Sequence, residues 1–422
     1  MLYLCYKLLF MKKIVIIGSV WPEPKSTAAG QRMMQLIELF KKLEYKVVFT
    51  SISSTSEFGI DLNEFGIQTV SIELNNSSFD NFIKHQNPNL VLFDRFMTEE
   101  QFGWRVTQNC PNALKILDTE DLHFLREARL QCFKQNIKYK TEHLQNEIAK
   151  REIASIYRCD LTLIISKFEQ ELLLNTFNIP SELLHYIPMM YEELIENQFA
   201  NYPKYEERNH FFSIGNFYHQ PNWDAVLQLK NLFWPLIRKQ LPKAEVHIYG
   251  AYLPEKAKQL NNEKEGFIIK GRVENSVDVF KKHRILLAPL PYGAGIKGKL
   301  IESMLFGTPN VTTKIGAEAM HDNLDWNGFI EDNPFEFAKK AVELYSNESV
   351  WNQSQLNGLK IINECFNKNN FENEFIEKLQ TLHLNIKTHR TNNFMGQILN
   401  HHTLKSTMYM SKWIEAKNTK KE

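Results

Sequence analysis

Short apolar runs that end in a polar residue or a glycine recur along this chain, and most are followed by a stretch with helical spacing. The first is Lys12–Gly18 (KKIVIIG): a basic start, a β-branched run, then glycine. A run that is apolar at successive positions suits a strand buried on both faces of a parallel sheet. A loop with two prolines follows over 19–30. Apolar residues at Met33, Met34, Ile37, Phe40 and Leu43 then predict an amphipathic helix over Gln31–Leu43. Lys46–Ser51 (KVVFTS) is the next strand, which completes a βαβ unit with a right-handed crossover. Leu90–Asp94, Leu114–Asp118 and Leu161–Ser166 continue the pattern, residues 124–158 between them are charged and helical, and Tyr186–Pro188 closes the first half. The polar ends of such strands share the carboxyl edge of the sheet, where ligands collect in open α/β folds.

Residues 192–209 are polar and charged and read as a linker. The rhythm restarts at His210–Gly215 and continues through Glu245–Gly250, Phe267–Lys270, Arg284–Pro289 and Asn310–Thr313, with a helix over Asp224–Lys239 interrupted by Trp-Pro. Two α/β domains are therefore expected, over 11–195 and 205–385. Residues 1–10 read as an extension ahead of a natural start at Met11, and 386–422 are expected to hold a last helix over Met408–Lys417 and a short basic tail, with His401 and His402 in a solvated turn.

Composition narrows the function. With 50 basic and 49 acidic residues the net charge is +1, unlike a dedicated nucleic-acid binder. The five cysteines are scattered without a CxxC, so they read as reduced intracellular thiols and not as a disulfide framework or zinc site. No apolar run approaches the roughly 20 residues that span a bilayer. A cytoplasmic protein is expected.

The densest chemistry lies in Ala288–Thr313 (APLPYGAGIKGKLIESMLFGTPNVTT). A strand runs into Gly293, Gly295 and Gly298, and a helix is predicted to begin near Lys299. Glycines admit close backbone approach, and amides at a helix start favour an anion. Lys297 and Lys299 add positive charge, and Glu302 is placed to accept from a ribose diol. The set suits a nucleoside diphosphate; the alternative is a tight turn with a solvated helix start. The P-loop spacing is missing, and the first strand carries no GxGxxG.

These segments resemble the group 1 (family 4-like) glycosyltransferases, in particular a branch with PL-x-YGAGIKGK-x-x-E-x-M followed by G-x-P-V-V-T-T and IGAEG. Here the chain reads PLPYGAGIKGKLIESM, GTPNVTT and IGAEA, and residues 211–238 resemble that branch's Gly-x-Phe-x-His-x-Pro-Asn segment. The match is dense over about 210–330. The resemblance implies a GT-B fold: two doubly wound Rossmann-like domains facing across a cleft, acceptor domain first and donor domain second, with the C-terminal helical segment returning to the first. It implies that Glu302 binds the donor ribose and that the loop around Gly295, Ile296 and Gly298 faces donor sugar and phosphate, with Gly215 and Asn216 beside it. Two departures stand out. Many members have a pair of glutamates separated by seven residues, and the first falls here on Ala294; many use an arginine where this chain has Gly215-Asn216-Phe217. Lys297 or Lys299 is expected to supply the missing charge.

In the first half, Asp118–Arg129 (DTEDLHFLREAR) follows a strand and is rich in ionisable groups. The resemblance assigns His123 to the donor sugar near its reacting carbon. The alternatives are a helix start capped by Asp121 and a metal site. Asp118, Arg126, Asp94 and Gly30 of the loop STAAG are further cleft candidates. No metal or cofactor is expected beyond a nucleotide-sugar co-substrate. The acceptor is expected to be carbohydrate or lipid-linked, in glycan or surface polysaccharide synthesis, with peripheral contact at the inner face of a membrane. A sugar-nucleotide epimerase and a non-catalytic sugar-nucleotide-binding protein are the other readings.

Overall fold

The computed structural model describes residues 12–419. The extension 1–10, the start at Met11 and the end of the basic tail lie outside them. The first sheet has seven strands: β1 (Lys13–Gly18), β2 (Lys46–Ser51), β3 (Gln68–Ser71), β4 (Leu90–Asp94), β5 (Leu114–Asp118), β6 (Leu161–Ile164) and β7 (Leu184–Tyr186), in the order β3-β2-β1-β4-β5-β6-β7. The second has six: β8 (Asn209–Ile214), β9 (Val246–Tyr249), β10 (Phe267–Gly271), β11 (His283–Ala288), β12 (Asn310–Thr312) and β13 (Gly328–Ile330), in the order β10-β9-β8-β11-β12-β13. Every strand pairing is parallel.

Strand periodicity sorts the apolar runs onto two faces. Val15 and Ile17 pack with Val91 and Phe93 on one side of the first sheet, while Ile14 and Ile16 pack with Leu90 and Leu92 on the other. In the second sheet Phe212 and Leu286 face one layer and Phe211, Ile285 and Leu287 the opposite one.

The helices that matter below are α1 (Ala28–Lys42), α2 (Arg95–Asn109), α3 (His123–Gln135), α4 (Glu147–Arg158), α5 (Lys167–Thr176), α6 (Gln220–Gln228), α7 (Gly298–Leu305), α8 (Glu372–Asn392) and α9 (Phe394–Thr419). Helix α1 starts three residues before the expected Gln31, because Thr27 caps it by accepting from the Gly30 amide at 3.0 Å. The predicted break at Trp-Pro is instead one π-helical turn, Leu229–Phe233, leading into the helix Trp234–Gln240. Pro235 lacks an N–H and crowds the preceding turn, and widening that turn accommodates it. Strands β3 and β13 are absent from the sequence reading because both are sheet edges without an apolar run.

The chain crosses between domains twice, side by side. Tyr191 on the way out bonds Phe366 and Lys368 on the way back, each at 2.8 Å. The return brings α8 onto the first sheet, where Phe375, Leu379 and Leu382 join the core with Ile14 and Phe40. The crossing back thus precedes residue 386. His401 and His402 lie within α9, not in a turn.

Strand order reverses between β1 and β4 in one sheet and between β8 and β11 in the other. Crevices open at such switch points, outside the carboxyl ends of the strands. In this chain the two crevices face each other.

Candidate functional site

One cleft of ≈ 550 Å3 lies between the two switch points. From the second domain it is lined by the loop Tyr292–Lys297, the start of α7, Gly215 and Asn216 after β8, and Glu302. From the first it is lined by Thr27 and Ala28, Arg95, and the stretch Glu120–Arg126.

The loop turns through Gly295 at φ +63°, a conformation that side chains avoid, and a Cβ there would lie 2.8 Å from Asp121. Lys297 is the N-cap of α7 and makes no side-chain cap bond. The Leu300 amide donates to Lys297 O at 2.9 Å, while the amides of Gly298 and Lys299 have no intrahelical acceptor, and these two residues line the cleft. Lys299 Nζ donates to Asn222 Oδ1 at 2.9 Å and sits against Gly215, where a Cβ would come within 2.7 Å of it. The ammonium therefore reaches the end of β8, the position where an arginine was missing. Burial, outweighing the attraction of Glu302, pulls its pKa from 10.5 down to about 8. Lys297 Nζ donates to Gly295 O at 2.7 Å, and burial likewise lowers it to about 8. Glu302 Oε1 accepts from Ser276 at 3.1 Å and Gln31 at 3.4 Å; burial raises its carboxyl above the usual range, with Ser276, Gln31 and Lys299 opposing.

One expectation for this loop is corrected. The Gly295 amide does not face a ligand: it donates to Glu169 Oε1 of α5 at 2.7 Å. Glu169 also accepts from the Leu122 amide at 3.2 Å, and burial, with nearby Asp121, raises it to about 8. Arg129 of α3 adds a second tie across the cleft. It donates to Gly293 O at 2.7 Å and grips Glu318 with two bonds of 2.8 and 2.7 Å. The first domain thus holds the loop Tyr292–Lys297 in shape. Arg129→Met removes all three bonds. Charge-assisted bonds contribute about 1.5–3 kcal/mol each to the folded state, so the melting point of the ligand-free protein is expected to fall and KM for a nucleotide ligand to rise as the loop loses its shape; calorimetry and steady-state kinetics read both.

On the opposite wall His123 opens α3. Its Nδ1 lies 3.2 Å from Asp121 O and its ring meets Phe96 edge-on. A carbonyl oxygen only accepts, so Nδ1 donates to it. The helix start is not capped by Asp121: the amides of His123 and Phe124 donate to Glu152 at 3.2 and 3.0 Å. Asp121 instead pairs with Arg126. Burial pushes the Asp121 carboxyl up, but Arg126, His123 and His219 together hold it below its ordinary value.

Three expected cleft residues do not line it. Asp118 is fully buried behind it, bound by Arg32 at 2.8 and 3.1 Å. Asp94 accepts from the Ser19 amide and hydroxyl at 2.9 and 2.6 Å. Gly30 lies inside α1, where a Cβ would clash with the Glu23 backbone at 2.5 Å.

Among the lining residues, Asn222, His219 and Glu120 were not singled out as site residues, whereas Arg95 was read with Asp94 as pointing at the cleft and does line it. Asn222 bridges Lys299 and Asn216 O. His219 is lowered to about 4 by burial and by Arg126. Both belong to the segment quoted for the resemblance. Arg95 directly follows β4 and Glu120 lies two residues past β5, with φ of +70° and +61°. Non-glycine residues held in the left-handed region concentrate at functional sites. Burial, with Asp118 and Asp94, raises the Glu120 carboxyl well above its usual range.

Among the described residues, no group of three or more His, Cys, Asp or Glu side chains is arranged to hold a metal ion, and no helix is long and apolar enough to cross a membrane. The cysteines 110, 132, 159 and 365 are unpaired and buried.

A comparison with curated protein sequences found no match. Solved structures match nearly the whole chain at low identity. Sucrose-phosphate synthase from Thermosynechococcus elongatus aligns with a TM-score of 0.66 at 14% identity, covering 88% of this chain and 99% of its own. HepE of Anabaena, in complex with UDP and glucose, gives 0.64 at 12% identity, covering 88% and 100%. S. aureus TarM, as a mutant in complex with UDP and α-GlcNAc-glycerol, gives 0.64 at 10%, covering 88% and 100%. These likenesses establish the fold as GT-B, two Rossmann-like domains across a cleft. Residues 208–347 match the family described as "Glycosyl transferases group 1", so the second domain is similar to that family.

Proposed function

We propose that this chain transfers a sugar from a nucleoside-diphosphate sugar to a hydroxyl of a carbohydrate or lipid-linked acceptor, with retention of anomeric configuration, in the building of a glycan or surface polysaccharide. The observation that carries the reading is the floor of the cleft: Lys299, the start of α7 and Glu302 line one cavity opposite His123 and Arg126. The start of α7 and the Lys299 ammonium take the diphosphate, and Glu302 accepts from the ribose. His123 presents its ring edge to a sugar hydroxyl. In the front-face course the acceptor hydroxyl attacks as the diphosphate leaves from the same face and takes its proton. The lysine charge and fixed dipoles meet the negative charge growing on the phosphate, which is electrostatic catalysis. The proposal uses no carboxylate nucleophile and no metal ion. The structural neighbours captured with UDP support it.

A melting-point panel of nucleoside diphosphates and their sugars tests it. A ligand at a hundred times its Kd stabilises the folded state by about 2.7 kcal/mol. No shift with any of them overturns the donor reading. A donor epimerised without an acceptor, or bound and never consumed, replaces transfer with one of the other two readings.

The lysines also set a pH dependence. Their folded values of about 8 lie below 10.5, so in the empty cleft they are charged below pH 8 and neutral above it. Diphosphate affinity is therefore full near pH 7 and falls as pH rises through 8, by up to about tenfold per pH unit for each lysine that engages phosphate. Calorimetric titration with UDP between pH 6.5 and 9.5 reads this slope, and a flat profile contradicts it.

A further inference from the structure

We propose that the outward side of α9 is a docking surface for an anionic lipid membrane. The helix has two different sides. The inner one packs on α2 and α4: Ser411 bonds Arg105 at 3.1 Å, Glu415 pairs with Arg105, and Gly396 lies against the Tyr157 backbone. The outer one leaves Phe394, Met395, Ile398, Tyr409, Met410 and Trp413 in solvent, with Phe394, Tyr409 and Trp413 exposed by 66, 63 and 61%. At 3.6 residues per turn all of these but Met410 fall within an arc of about 100°. Large apolar side chains in that number on one helix face are not the scatter normal to a soluble surface.

Charge identifies the occupant. Lys405, Lys412 and Lys417 are exposed on or beside this face, and Lys417 Nζ stands 5.2 Å from the Trp413 ring. The helix has a single acid, Glu415, and it is turned inward to Arg105. Aromatic and methionine side chains flanked by lysine, without acid, fit the boundary between headgroups and acyl chains of an anionic bilayer. A second copy of the chain fits less well, because two-fold pairing through this face sets its lysines against their own counterparts. With no described helix able to cross a bilayer, α9 lies in the surface plane, about 39 Å long at 1.5 Å per residue. No residue of α9 lines the cleft, so docking leaves the cleft open, and the inference stands apart from the proposed reaction.

The test is co-sedimentation of the full chain with vesicles of phosphatidylcholine alone and with about a third phosphatidylglycerol. Binding is expected to the anionic vesicles only and to collapse in high salt. Lys405→Glu, Lys412→Glu and Lys417→Glu together are expected to lower partitioning about a hundredfold or more, at about fivefold per lysine. Tyr409→Ser with Trp413→Ser lowers it independently of salt. All five positions are exposed, so the melting temperature should hold. Equal binding to both vesicle types, equal binding by the triple variant, or a concentration-dependent dimer abolished by these substitutions in place of vesicle binding each overturns the proposal.

Discussion

Lys299→Ala is expected to lower turnover about 10²- to 10³-fold, the range for removing one preorganised group that meets charge developing in a transition state. The reason is positional. The Lys299 ammonium is anchored by the neutral oxygen of Asn222 and lines the cleft, so its charge is free to act on a diphosphate. The structure also separates lost chemistry from lost folding. Burial pulls the ammonium's pKa from 10.5 down to about 8, because a low-dielectric site disfavours the charged form. Removing the charge relieves that cost, so the variant should melt no lower than the parent. Lys297→Ala should lose turnover as well, by a different route: its ammonium braces the Gly295 carbonyl, and the loop loses its shape. Single-turnover rates beside melting curves check both. Near-normal rates in the two variants would falsify the assignment of the loop.

The second large effect is on stability. Arg32 and Asp118 are 1 and 0% exposed, and the guanidinium also donates to Ile187 O at 2.7 Å. Arg32→Leu strands a buried carboxylate, and breaking a buried pair from one side costs about 3–5 kcal/mol. A fall of that size is expected in the urea unfolding of the first domain, partly recovered by combining Arg32→Leu with Asp118→Leu, because no charge is then left buried and unpaired, while Ile187 O still lacks its donor. An unchanged midpoint for Arg32→Leu contradicts the buried pair.

These two predictions mark how far the sequence could be read. The loop Pro291–Met304 was legible because its chemistry is local: glycines, lysines and an acid within one strand-to-helix turn. The central strands were legible because runs such as KIVII are buried on both faces and carry no polar alternation. Edge strands β3 and β13 lack that signature. Asp118 was read as a cleft residue because it ends a strand, as cleft residues do; its partner Arg32 is 86 positions away, and no local pattern reports such a pairing. The ties from Glu169 and Arg129 to the donor loop span 126 and 164 positions and were hidden for the same reason. Glu120 stands out through its backbone dihedral.

The return of α8 onto the first sheet has a consequence for biosynthesis. Ile187 and Phe375 share one core, yet 188 residues separate them. At about 5–20 residues per second a ribosome needs on the order of ten to forty seconds to cover that interval. The second sheet is contiguous from Asn209 to Ile330 and emerges whole in the meantime. Until α8 follows, the nascent first domain presents bare aliphatic surface where Phe375, Leu379 and Leu382 will sit, a patch suited to a holding chaperone. The domain that is synthesised first is completed last.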